Sequence, residues 1–144
     1  PAQYFRDPED LDAYLEHSAF LADINNERPG ERNKTYAENL SRLERFVMLM
    51  FEDDTTVVPK ESAWFAEFNR TTGERTPLED RELYKQDWIG LKKLGDRKRL
   101  EFLTAPGRHM ELSEELLAGL FKKYLGGRVD GDEMGLWVHG VAEL

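Results

Sequence analysis

An α/β fold, with few and mostly parallel strands flanked by helices, is predicted by two features of the sequence. Two short apolar runs, "RFVMLMF" ending near Phe51 and "RLEFLTA" from Arg99 to Ala105, read as buried strands. Segments with helical spacing stand before, between and after them, and such alternation is the mark of an α/β sheet.

Taken in order, "DPEDLDAYLEHS" has an aspartate before Pro8 and acids in its first turn, which predicts a short helix from about Pro8 to Glu16. "AFLADINNERPGERN", Ala19 to Asn33, starts apolar, turns polar and is broken by Pro29 and Gly30, so it reads as a loop. From Thr35, the spacing of Tyr36, Leu40 and Leu43 predicts an amphipathic helix. The first strand follows, and then a polar turn, "EDDTTVVP". "SAWFAEF" reads as a helical turn with Trp64, Phe65 and Phe68 facing inward. Thr76, Pro77 and Glu79 have the spacing of a capping box that would start another short helix. After the second strand, Ser113 caps a clearer helix, with Glu114 and Glu115 at its positive end and Leu116, Leu117, Leu120, Phe121 and Tyr124 as its apolar stripe. Gly126 and Gly127 stop it. Residues 127–144 have scattered glycines and no period, and are set apart as a tail of unknown structure.

Composition removes several classes of function. The 144 residues carry a formal net charge of -9, so the mean field repels phosphate backbones and nucleic acid is not an expected partner. The basic cluster "KKLGDRKR", Lys92 to Arg99, reads as a solvated face. No cysteine is present, which excludes disulfides, thiolate zinc sites and a cysteine nucleophile within this chain. Three widely separated histidines offer no metal-ligand spacing, so no metal or other cofactor is expected. The longest apolar run, "FVMLMF", is far short of the roughly 20 residues that span a bilayer, and no transmembrane segment is predicted. Pro1 stands where an initiator methionine would, so the chain is expected to be processed or to be a piece of a longer one. Sequons occur at Asn33, Asn39 and Asn69, each a candidate for glycosylation on the secretory route.

Functional groups of α/β sheets sit on loops past the carboxyl ends of the strands. Here Asp54 lies three residues beyond Phe51, and His109, in "FLTAPGRHMELS", lies six beyond Leu103. A serine is a poor nucleophile until a neutral imidazole takes its proton, and the imidazole needs a carboxylate to fix its tautomer. Acid then histidine is the order in which α/β-hydrolases place the last two members of a serine triad. On local sequence Asp53 serves as well as Asp54. Ser18 follows His17 directly, a placement that does not bring the two side chains together, and His17 and His139 read as structural or exposed. "HSAFLADIN" and "SAWFAEF" are rich enough to wall an apolar groove, although core packing is the favoured reading of Phe20, Leu21, Trp64 and Phe65.

"SAFLADINNER", "FVMLMFEDDTTVVPKESAWF", "LYKQDWIGL" and "GRHMELSEE" together resemble the C-terminal half of lysosomal palmitoyl-protein thioesterases, over roughly residues 1–126. The resemblance implies the C-terminal part of an α/β-hydrolase that removes palmitate from S-acylated cysteines of proteins or acyl-cysteine peptides, located in the lysosome. It points to Asp54 as the catalytic acid and to His109, with Gly107, Leu112 and Ser113 around it, as the catalytic histidine. Asp53 falls where the family tends to carry a glycosylated asparagine, and Asn33 lies near a family glycosylation site. The chain departs from the family pattern in two ways. No Gly-x-Ser-x-Gly elbow surrounds Ser18, Ser41, Ser62 or Ser113, so the nucleophile and the oxyanion hole are expected in an N-terminal half upstream of Pro1, and the fragment alone is expected to be inactive. Residues past 126 extend beyond the family's usual end. A lipase or carboxylesterase of the same fold, or an inactive interaction domain, is the alternative.

Overall fold

The computed structural model describes Arg6, Asp7 and residues 9–69 and 71–126; the tail, His139 and the expected helix start at Pro8 lie outside them. The first helix, α1 (Leu11–His17), begins later than expected. Its cap is Asp10, whose carboxylate accepts the Ala13 N–H at 3.2 Å, and not the aspartate before Pro8. The stretch expected to be a loop contains one helical turn, α2 (Leu21–Ile24), with Ala22 wholly buried. A four-residue helix is too short to show a period. Beyond it the buried Asn26 holds the chain: Nδ2 donates to the carbonyls of Asn33 and Trp88 at 3.0 and 2.8 Å, and Oδ1 accepts the Asn33 N–H at 2.8 Å.

Helix α3 (Lys34–Ser41) starts where Asn33 Oδ1 accepts the Thr35 N–H at 3.0 Å. Its buried residues are Ala37 and Ser41, not the expected stripe; Leu43 lies past its end and is exposed. The reason is a backbone packed against it. Gly90, at φ +92°, approaches so closely that a Cβ would stand 2.4 Å from the Ala37 carbonyl oxygen, and only small residues fit there.

Strand β1 (Phe46–Phe51) follows, and the chain returns through a 3₁₀ turn at Lys60–Trp64. The helical turn expected of "SAWFAEF" ends at Trp64, because β2 (Glu67–Phe68) pairs antiparallel with β3 (Arg75–Thr76). That pairing also holds Thr76 in a strand, so the expected capping box does not form; a 3₁₀ turn at Leu78–Asp80 and then α4 (Glu82–Lys85) follow, without side-chain caps. Helix α5 (Leu91–Asp96) leads into β4 (Leu100–Ala105). Strands β1 and β4 pair in parallel, from Phe46 against Leu100 to Phe51 against Ala105, and so place both carboxyl ends at the same rim. Trp64 Nε1 lies within 3.2 Å of the Met48 carbonyl and 3.3 Å of the Leu103 carbonyl, fastening the turn after β1 across both strands.

The core gathers on the α4–α5 side of the sheet, where Leu78, Leu83, Ile89, Leu91 and Leu94 are buried together and Phe46, Leu100 and Phe102 pack against them. Helix α6 (Glu114–Tyr124) is capped by Ser113 as expected, its Oγ accepting the Leu116 N–H at 3.1 Å. Its apolar stripe is only partly covered: Leu116, Leu117, Leu120 and Tyr124 are half-buried, and Phe121 is exposed. Polar contacts attach it to the sheet instead, with the Tyr124 hydroxyl and Lys123 both bound to Glu101 of β4. No helix among the described residues is long and apolar enough to cross a membrane.

Candidate active site

The parallel pairing does not stop at the strand ends. Glu52 N–H donates to the Ala105 carbonyl at 2.9 Å and Asp53 N–H to the Gly107 carbonyl at 3.0 Å, so the loops after β1 and β4 leave the sheet side by side. On the first loop, the Asp54 side chain folds back over its own backbone: Oδ1 accepts the Thr56 and Val57 N–H groups, each at 2.9 Å. Aspartate followed two positions on by a threonine is a local turn signal that was legible in the sequence. On the second loop, Gly107 at φ +101° makes the bend, and the Glu111 carboxylate accepts the Arg108 N–H at 2.7 Å. This loop aims the imidazole of His109 at Asp54.

The two side chains meet. His109 Nδ1 lies 2.8 Å from Asp54 Oδ2, across 55 positions of sequence. Asp54 is nearly enclosed, with 8% of its side chain exposed, whereas His109 keeps 39%, so the acid is shielded and the imidazole remains accessible. Asp53 is exposed and joins the loops through its backbone N–H; its carboxylate makes no hydrogen bond or ion pair with His109. Geometry thus separates two acids that local sequence left equal.

The hydrogen bond from the Val57 N–H is the largest influence on Asp54; with those from His109 and Thr56 it outweighs the loss of solvation and holds the carboxyl below the usual carboxylate range. An ionised carboxylate only accepts, so Nδ1 carries the ring proton, and in the neutral imidazole Nε2 is then the bare, basic nitrogen. No hydrogen bond to Nε2 is made among the described residues. A depressed folded-state pKa gives stability that is present above the unfolded value of about 3.9 and is lost as pH falls through the folded one. Titration of the Asp54 carboxyl carbon and of the Thr56 and Val57 amides by NMR is therefore expected to show one shared midpoint below 3.9; a midpoint at or above that value contradicts the clamp.

The remaining candidates stand elsewhere. His17 is exposed in the last turn of α1, and Ser18, buried, ends that helix. Ser41 donates to the Glu38 carbonyl and Ser113 caps α6, so none of the four described serines is bonded to His109. Asn33 is exposed at the cap of α3, Asn69 is exposed just past β2, and Asn39 is exposed within α3.

A cavity of about 690 Å³ opens beside the Asp54 turn, and Thr56 and Val57, the residues that bond Asp54, form part of its wall. Val57, Val58, Pro59, Phe65, Phe68 and Leu83 line it on the apolar side. Phe65, Ala66, Glu67 and Phe68 of "SAWFAEF" line it, although core packing is the favoured reading of Phe65 from sequence, whereas Phe20, Leu21 and Trp64 do not line it. Its polar end has no counterpart in any local pattern. There Arg6 bonds Glu27 at 2.6 Å and also binds Glu67, Arg81 lies 3.5 Å from Glu67, and the Tyr14 hydroxyl donates to Glu27 at 2.9 Å. Burial, with Glu27 beside it, pushes the Tyr14 hydroxyl up to about 12, so it stays a donor. Partners between 13 and 61 positions apart leave no local signal.

A family model described as palmitoyl protein thioesterase matches residues 1–109. The chain is 43% identical over 111 residues to palmitoyl-protein thioesterase 3 of Dictyostelium discoideum, covering 76% of the chain and 38% of that relative. It is 40% identical over 125 residues to palmitoyl-protein thioesterase 1 of Caenorhabditis elegans, covering 85% and 41%. With lysosomal thioesterase PPT2-B of Xenopus laevis it shares 33% identity over 104 residues, covering 72% and 36%. The chain spans about two fifths of the length of these relatives.

Proposed function

Because the chain belongs to the palmitoyl protein thioesterase family, we propose that it is the C-terminal part of a serine hydrolase that removes long-chain acyl groups from S-acylated cysteines in the lysosome. The observation that carries this reading is the 2.8 Å contact between Asp54 and His109 at the rim of the parallel strands. The catalytic serine belongs to the N-terminal half, upstream of Pro1. His109 Nε2 takes its proton as the serine attacks the thioester carbonyl, and then delivers that proton to the departing cysteine sulfur. Asp54 holds Nδ1–H throughout and stabilises the imidazolium that forms. Water, deprotonated by the same nitrogen, releases the fatty acid. Residues 1–126 supply this part of the hydrolase domain.

The acyl chain would lie in the cavity beside Asp54. Its volume is within the roughly 300–1,000 Å³ of small-molecule sites, its walls are apolar close to the Asp54 turn, and the ion pairs of Arg6 and Arg81 mark its polar end. The test is turnover by the complete protein of an S-palmitoyl-cysteine peptide against the matched O-palmitoyl-serine peptide. A higher kcat/KM for the thioester is expected. Preference for the oxygen ester would make the protein a carboxylesterase of the same fold, and no turnover of either would make it an inactive interaction domain.

A further inference from the structure

We propose that Asn69 carries an N-linked oligosaccharide. The inference rests on the reading that the protein passes through the secretory route, and on three independent features of the β2–β3 hairpin. First, Asn69, Thr71, Thr72 and Gly73 are exposed, and the sequence Asn-Arg-Thr is a complete acceptor triplet. Second, Asn69 has committed every polar group except the one that would react. Its N–H donates to the Glu74 carbonyl at 2.9 Å and its carbonyl accepts the Gly73 N–H at 2.8 Å. Its Oδ1 accepts the Thr71 and Thr72 N–H groups at 2.9 and 3.0 Å, while Nδ2 has no partner among the described residues. The turn therefore fixes the side chain through its oxygen and leaves the amide nitrogen uncommitted to any described residue. Third, a groove of about 440 Å³ runs beside the hairpin, between Asn69, Thr71 and Glu74 on one side and Glu9 and Leu11 on the other, with Phe68 at its apolar edge. It gives the first sugar rings a mixed polar and apolar bed next to the attachment atom.

The asparagine of the sequon at Asn39 is also exposed, but its setting differs. It lies within α3, and the serine of its triplet, Ser41, is 7% exposed with its hydroxyl donated to the Glu38 carbonyl. At Asn69, Nδ2 attacks the anomeric carbon of a lipid-linked oligosaccharide diphosphate. The new C–N bond replaces the sugar–phosphate C–O bond, the lipid diphosphate departs with that bond's electron pair, and the amide nitrogen loses one proton.

The experiment translates the complete protein behind a cleavable secretory leader in the presence of endoplasmic-reticulum microsomes, and scores only chains protected from added protease. Thr71→Ala removes the hydroxyl of the triplet but keeps the backbone N–H that Asn69 binds; it is expected to lose one glycosidase-sensitive step in mobility, and Thr71→Ser to retain it. Peptide mass spectrometry after enzymatic deglycosylation in heavy-oxygen water is expected to find Asn69 converted to labelled aspartate. Protected chains with Asn69 unmodified would overturn the proposal. Protease protection of the unaltered protein with its own leader scores the secretory reading separately, so failure of that reading and failure at Asn69 are told apart.

Discussion

His109→Ala in the complete protein is expected to lower kcat for acyl-thioester hydrolysis by about 10⁶-fold, the scale on which serine hydrolases lose rate when the general base is removed. The reason is visible in the bond pattern: with Nδ1 committed to Asp54, Nε2 is the base this rim presents. Asp54→Asn should cost about 10⁴-fold by a different route. Its amide oxygen can still accept from Thr56 and Val57, so the turn survives, but its NH₂ then faces Nδ1 and selects the tautomer that protonates Nε2. Asp53→Ala, which removes an exposed carboxylate with no hydrogen bond or ion pair to the imidazole, is expected to turn over thioester at the wild-type rate. The three variants together separate geometry from proximity in sequence. Full activity in His109→Ala would end the hydrolase reading, and loss in Asp53→Ala with retention in Asp54→Asn would move the acid by one position.

Leu94→Ala is expected to lower stability by about 2–5 kcal/mol, as seen for fully buried leucines cut to alanine. Leu94 and Leu91 are each 0% exposed, and the carbonyl of Leu94 accepts the Arg99 N–H at 2.9 Å at the point where α5 turns into β4. A cavity there loosens the strand whose far end bears His109. Urea denaturation of the complete protein should show a lower midpoint with an unchanged slope, and turnover per folded molecule should be preserved well below the midpoint. A shift worth less than about 1 kcal/mol would mean that the core closes around the gap.

The features legible in the chain were those whose physics is local. Runs of apolar residues announced β1 and β4, and Ser113 followed by Glu114 and Glu115 announced α6. Elements set by a partner were misread. Thr76 has the residues of a capping box around it, yet the pairing of Arg75 with Phe68 draws it into a strand. The face of α3 was assigned to its large residues, yet the approach of Gly90 leaves room only for Ala37 and Ser41. Helix α5 has no charged outer face long enough to show a period, although it contains the two most completely buried leucines.

The candidate site divides along the same line. Its residue types could be named in advance, because an acid and a histidine on polar loops past two apolar runs are chemical facts of the chain, and the resemblance then weighted Asp54 over Asp53. The encounter itself required folding. Only parallel register, carried past Phe51 and Ala105 by the bonds of Glu52 and Asp53, sets the two loops side by side and turns one of two adjacent carboxylates toward the imidazole. The pairing of Arg6, Glu67 and Arg81 around the buried Glu27 likewise exists only in three dimensions. Local propensity acts over a few residues through backbone sterics and nearby hydrogen bonds, whereas register and charge pairing depend on which distant segments the core brings together.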